Sequence, residues 1–78
     1  MRIIGIDPGL TKTGVGIIDV AGNNISFVAS ETIYSDASEP FATRLNHFHN
    51  SLVKIIDTYK PNEAAIEETF VNKNPLSS

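Results

Sequence analysis

The run Ile3-Ile4-Gly5-Ile6-Asp7-Pro8-Gly9 constrains this chain more than any other stretch. Continuous aliphatics of this length predict a strand buried on both faces, in the middle of a sheet. The run stops abruptly at a carboxylate. Pro8 presets one turn position, and Gly9 is expected to supply positive φ at the next, so the chain reverses there. Asp7 is then held by stiff backbone at the end of a central strand, partly shielded from water. Such a position suits a metal ion or a reacting group. On these residues alone, an aspartate that accepts hydrogen bonds from its own turn fits equally well.

The remaining elements follow from periodicity. Strand 1 is expected over 2–7 and strand 2 over 13–20, where Val15, Ile17 and Ile18 are apolar and Gly14 and Gly16 leave one face bare. A bare face lets another group approach the backbone closely. Ala21-Gly22-Asn23-Asn24 predicts a hairpin turn. Strand 3 is expected over 25–34, with Ile25, Phe27 and Ala29 alternating against Ser26, Val28 and Ser30. Ser38 is expected to cap a helix whose first turn holds Glu39 and Pro40. Phe41, Leu45, Phe48, Leu52, Ile55, Ile56 and Tyr59 form its apolar stripe, and Lys60-Pro61-Asn62 ends it. Ala64-Ala65-Ile66-Glu67-Glu68 predicts a fourth strand that turns acidic at its end. The order is an antiparallel three-stranded meander, a helix, and a fourth strand expected beside and parallel to strand 1. The fold class is α/β.

With 78 residues the chain holds at most one domain, and one this short buries only about 60–65% of its unfolded surface. Its 41% hydrophobic and 19% charged residues are those of a globular rather than a disordered protein. It has no cysteine, which excludes disulfides and thiolate metal sites and fits a reducing compartment. No apolar run approaches a membrane span, and Met1-Arg2-Ile3 enters a strand without the layout of a signal peptide. The expected location is therefore cytoplasmic. The net charge of −3 argues weakly against strong nucleic-acid binding by these residues alone. The last residues follow directly on a buried-looking strand, so a truncated domain is expected.

The topology puts Asp7 and Glu67 at the same edge of neighbouring strands, about 5 Å apart at the backbone. Two carboxylates so placed repel unless a cation lies between them. Oxygen donors without His or Cys suit Mg²⁺, with Mn²⁺ as a substitute. Sites of this kind serve phosphoryl transfer. Glu68 points to the opposite face from Glu67 and reads as solvated. His47 and His49, two apart on a helix, cannot share an ion. With Arg44, Lys54 and Asp57, His47 reads as the wet face of the helix. Thr13 either hydrogen-bonds near the Asp7 turn or simply favours the strand.

Gly5-Ile6-Asp7-Pro8-Gly9, Thr13-Gly14-Val15-Gly16, and Ala65-Ile66-Glu67 followed by Phe70 and Lys73-Asn74 strongly resemble RuvC, the family of bacterial Holliday-junction resolvases. The resemblance covers the whole chain. It implies an RNase H-like fold, here truncated, with residues 1–78 as the N-terminal half of one nuclease domain. It also implies a Mg²⁺-dependent homodimer that nicks a four-way DNA junction symmetrically, working with the branch-migration complex RuvA-RuvB in recombination and repair. By the same resemblance Asp7 and Glu67 are catalytic and ligate metal, while Phe70, Lys73 and Asn74 face DNA. From the residues alone, Phe70 stacks on a base or caps the core, and Lys73 meets phosphate or water. Two further acidic ligands of the family, on a C-terminal helix, have no counterpart here, so this half alone is expected to be inactive. Two other readings stand beside this one. An actin-like ATPase or sugar kinase would use 9–14 as a phosphate-cradling hairpin. A YqgF-like RNA-processing nuclease lies nearer, although Pro8 and the segment from Ala65 to Phe70 favour RuvC.

Overall fold

The computed structural model describes residues 1–67. Four strands and one helix follow in the order β1 (Arg2–Asp7), β2 (Lys12–Ala21), β3 (Asn24–Tyr34), α1 (Phe41–Tyr59) and β4 (Glu63–Ile66). The sheet order is β3-β2-β1-β4. β1 pairs antiparallel with β2 and parallel with β4, as the order of elements predicts. β2 is one residue longer at each end than expected, and β4 stops at Ile66. Glu68 lies outside the described residues.

β2 and β3 are joined through Gly22 and Asn23. Gly22 sits at φ 61, whereas Asn23 does not adopt positive φ. That is the φ signature of a type II′ turn, which matches the twist of the strands it joins. Gly9 does not adopt positive φ. A glycine is needed there for another reason: a Cβ would collide with the carbonyl oxygen of Lys12. The expected left-handed turn is therefore a close approach of two backbone segments.

The core lies on one face of the sheet. Ile4 and Ile6 of β1, Val15 and Ile17 of β2, and Ile33 of β3 are buried there with Ile55 of α1. Ile4 and Ile17 are almost wholly enclosed, at 2% and 0% exposure. β3 departs from simple alternation. Ile18 pairs with Phe27 and Ile17 with Ala29, so Val28 is an extra residue in a bulge. The bulge puts Ala29 on the helix face and leaves Ile25 and Phe27 on the opposite face, both exposed. The expected common face for Ile25, Phe27 and Ala29 does not form.

The stripe on α1 is broader than its contact with the sheet. Phe48, Leu52, Ile55 and Tyr59 pack on the core, while Phe41, Leu45 and Ile56 are exposed. A helix of 19 residues extends about 28 Å, and Phe41 and Leu45 lie on its first two turns, beside the loop after β1. The predicted Ser38 cap is also replaced. Asp36 Oδ1 accepts hydrogen bonds from the Ser38 backbone N–H at 2.9 Å and its hydroxyl at 2.7 Å. This Asx turn uses the serine before the helix begins. Pro40 precedes the first helical residue, without a side-chain cap bond. At the other end Lys60 takes a left-handed conformation, and its N–H donates to Ile56 O at 2.7 Å.

Candidate metal centre

β1 and β4 run side by side with Ile3 opposite Glu63 and Ile6 opposite Ile66. Beyond the last pair, the Glu67 N–H still donates to the Ile6 carbonyl at 3.0 Å. The ladder therefore holds the backbone of Glu67 level with Asp7. Ile6 faces the core, so alternation turns Asp7 and Glu67 together onto the face away from α1. Across the sheet Asp7 pairs with Gly14, and a Cβ added to Gly14 would lie 3.9 Å from the Asp7 Cβ. Gly5 and Gly16 form the next pair on this face, with open space above Gly16. The carboxylates thus stand at the edge of a bare, open floor.

Asp7 is exposed, in contrast to the shielding expected of a buried central strand. The reason is topological: the face that Asp7 occupies carries no packed element among the described residues. Glu67 is exposed as well. The only ion pair among the described residues is Arg2 with Asp19, so neither carboxylate has a protein cation to offset the other. Two oxygen donors without a counter-charge fit a hard divalent ion. No group of three or more acidic or histidine side chains comes together among the described residues. His47 and His49 are exposed on α1 and do not join them.

The loop that follows Asp7 is tied down at successive residues. The Gly9 N–H donates to Thr13 Oγ1 at a long 3.5 Å. Thr13 is buried, so this residue both serves the strand and bonds the turn. The Thr11 carbonyl accepts from the Ser35 N–H at 2.8 Å. Arg44 reaches from α1 to donate through Nη2 to Leu10 O at 2.8 Å and through Nε to Ser35 Oγ at 2.7 Å. The expectation that Arg44 belongs to a wet helix face is thereby corrected. Its acceptors are a backbone carbonyl and a serine hydroxyl on distant loops, which leave no charge pattern in the sequence. Phe70, Lys73 and Asn74 lie outside the described residues.

Residues 3–78 match the family model described as crossover junction endodeoxyribonuclease RuvC. The chain belongs to the RuvC family. It is 53% identical over all its 78 residues to the RuvC of Rhizobium leguminosarum bv. trifolii, and 50% identical to that of Agrobacterium fabrum. It spans 46% of the length of each, about half of these curated relatives. Among solved structures it is similar to Thermus thermophilus RuvC in complex with Holliday junction substrate, with a TM-score of 0.82 and 28% identity over 95% of this chain and 46% of that one. A second Thermus thermophilus RuvC structure gives a TM-score of 0.78 and 27% identity, over 90% of this chain and 46% of that one. The fold is therefore RNase H-like, and the relatives carry the name of a junction endonuclease.

Proposed function

We propose that this chain supplies the N-terminal half of a RuvC nuclease domain that cuts four-way DNA junctions, with Asp7 and Glu67 as catalytic metal ligands. The observation that carries the proposal is the pairing of β1 with β4, which delivers two unpaired carboxylates to one edge and one face. Family membership supports the substrate. The relatives are named crossover junction endodeoxyribonucleases, and one solved relative holds a Holliday junction.

In this reading Asp7 and Glu67 hold Mg²⁺, or Mn²⁺ in its place. When bound, the ion activates water and offsets charge on the leaving oxygen. The chain's own residues do the rest. β1 and β4 fix the spacing of the two carboxylates. Gly5, Gly14 and Gly16 keep the floor beside them low, so that a phosphodiester backbone can approach. Phe70 stacks on a base, and Lys73 and Asn74 begin a DNA-facing segment in which Lys73 meets phosphate. The active species is a homodimer that nicks two strands symmetrically, in the bacterial cytoplasm and alongside RuvA-RuvB. No helix among the described residues is long and apolar enough to cross a membrane. Residues 1–78 alone are inactive, because two carboxylates do not complete the ligand set.

The test uses a completed chain, with residues 1–78 joined to the C-terminal half of the Rhizobium leguminosarum relative. A synthetic four-way junction is incubated with Mg²⁺ and this chain, its Asp7→Asn variant, or residues 1–78 alone. Paired nicks from the completed wild type only are expected. An inert completed wild type, or cutting that survives Asp7→Asn, contradicts the proposal.

A further inference from the structure

The ladder that fixes Asp7 ends with Asp7. Beyond it, the chain passes through Pro8, Gly9, Leu10 and Thr11 before β2 begins. Two of the ties on this loop come from a distant segment, the start of α1 and the turn before it. Arg44 donates to Leu10 O, and Ser35 N donates to Thr11 O. Arg44 also donates to Ser35 Oγ, so a single guanidinium joins both contacts. The planar fork of arginine sets two donors in a fixed relation, which a lysine ammonium does not. Here it spends them on neutral acceptors three residues from Asp7 and at the turn before α1. Arg44 is half-buried and forms no direct ion pair; its charge acts on Asp36 from a distance, while its hydrogen bonds all go to neutral acceptors.

We infer that Arg44 is a positioning residue for Asp7: from α1 it locks the loop that leaves β1, and so holds the Asp7 carboxylate ready for a divalent cation. The inference rests on the metal-site reading above. Without the lock, Leu10 loses its anchor to α1, Thr11 keeps only the bond from the Ser35 N–H, and the Asp7 side chain samples more orientations. The ion then pays the ordering cost on binding.

Two measurements test it. In the completed chain, Arg44→Ala should raise the Mg²⁺ concentration for half-maximal junction nicking about tenfold, the lower end of what groups supporting metal ligands contribute. Arg44→Lys, which keeps the charge and a donor nitrogen but not the planar fork, should recover part of that shift. Junction affinity measured without Mg²⁺ should be unchanged. Leu52→Ala serves as the control, since it loosens α1 on the core without touching the loop. An equal Mg²⁺ shift in Leu52→Ala would reduce Arg44 to general stability and overturn the inference, as would a Mg²⁺ response of Arg44→Ala that superimposes on wild type. The second measurement is independent of cutting. Substoichiometric Mn²⁺ should broaden the Asp7 amide resonance of the completed chain, and Arg44→Ala should weaken that broadening. Equal broadening in the variant overturns the inference. If the completed wild type fails to nick, the nuclease reading falls, while the Mn²⁺ experiment still judges Arg44. No broadening at Asp7 in wild type would remove both.

Discussion

The two ends of the β1–β4 pair are built from opposite electrostatics. At the start of β1, Arg2 holds Asp19 through two bonds, Nε to Oδ1 at 2.8 Å and Nη2 to Oδ2 at 2.9 Å. Its Nη1 donates to Tyr59 O at 3.0 Å, the last residue of α1. Its backbone N–H and carbonyl are both taken by Asn62, at 2.7 Å each. One residue thereby joins β1, β2, the helix end and the entry to β4. At the far end of the same strands stand Asp7 and Glu67, exposed and without a cation. The helix follows the same polarity. A guanidinium meets its negative C-terminal end, while its positive N-terminal end lies toward the Asp7 loop, where Arg44 contacts Leu10. One end pairs Arg2 with Asp19 and secures the fold. The other leaves two exposed carboxylates without a cation, an arrangement that a ligand can use.

The contrast depends on a shared middle, so the largest effect should come from removing it. Ile17→Ala deletes a fully buried side chain of β2 and should cost about 2–5 kcal/mol, enough to unfold much of so small a domain. Thermal melts that show a smaller shift would mean that the core collapses around the gap. Next in size is Asp7→Asn. In the completed chain it should lower junction nicking by more than the roughly 100-fold seen when outer partners of a metal ligand are lost. In residues 1–78 it should leave the melting temperature unchanged or raise it, because a like-charge neighbour is removed. A lower melting temperature would show that Asp7 is structural.

A third prediction concerns the paired end. The Arg2 guanidinium, chiefly through its hydrogen bonds, holds the Asp19 carboxyl below its ordinary value of 3.8. A carboxyl lowered in the folded state stabilises above its unfolded value, and that contribution is lost as pH falls through the folded one. Acid titration of stability should therefore flatten below about pH 4 in Asp19→Asn relative to wild type. Asp36 is lowered too, chiefly by its bonds from Ser38, so Asp36→Asn measures the background from the unrelated turn. An identical acid limb in wild type and Asp19→Asn would break the claimed asymmetry. The smallest effect is expected at Lys60, the one non-glycine residue described in the left-handed region, at φ 51. Lys60→Gly removes Cβ strain at the helix end but adds chain entropy to the unfolded state, for a net gain of up to about 1 kcal/mol by chemical denaturation.

Much of this was legible in the residues. The abrupt end of an aliphatic run at Asp7, and of another at Glu67, predicts both the parallel pairing and the meeting of two carboxylates. Alternation and register carry that information locally. What escaped depended on competition or on distant backbone. Asp36 and Ser38 both suit a helix start, and only the bonds show that Asp36 takes the Ser38 donors. The bulge at Val28 arises from pairing with β2, so alternation within β3 misassigns Ala29. Gly9 serves a close contact with Lys12 rather than a left-handed turn. Arg44 was unreadable because its acceptors are a carbonyl 34 positions away and a serine hydroxyl, neither marked by composition.

The asymmetry of the β1–β4 pair predicts that one end binds a divalent ion and the other does not. It is tested most directly by following backbone amide resonances of the completed chain during a Mn²⁺ titration. Broadening should begin at Asp7, Gly14 and Glu67, while Asp19 and Asn62 remain sharp until the added metal is in excess. Broadening that starts at Asp19, at Asp36 or evenly over all acidic residues would contradict it.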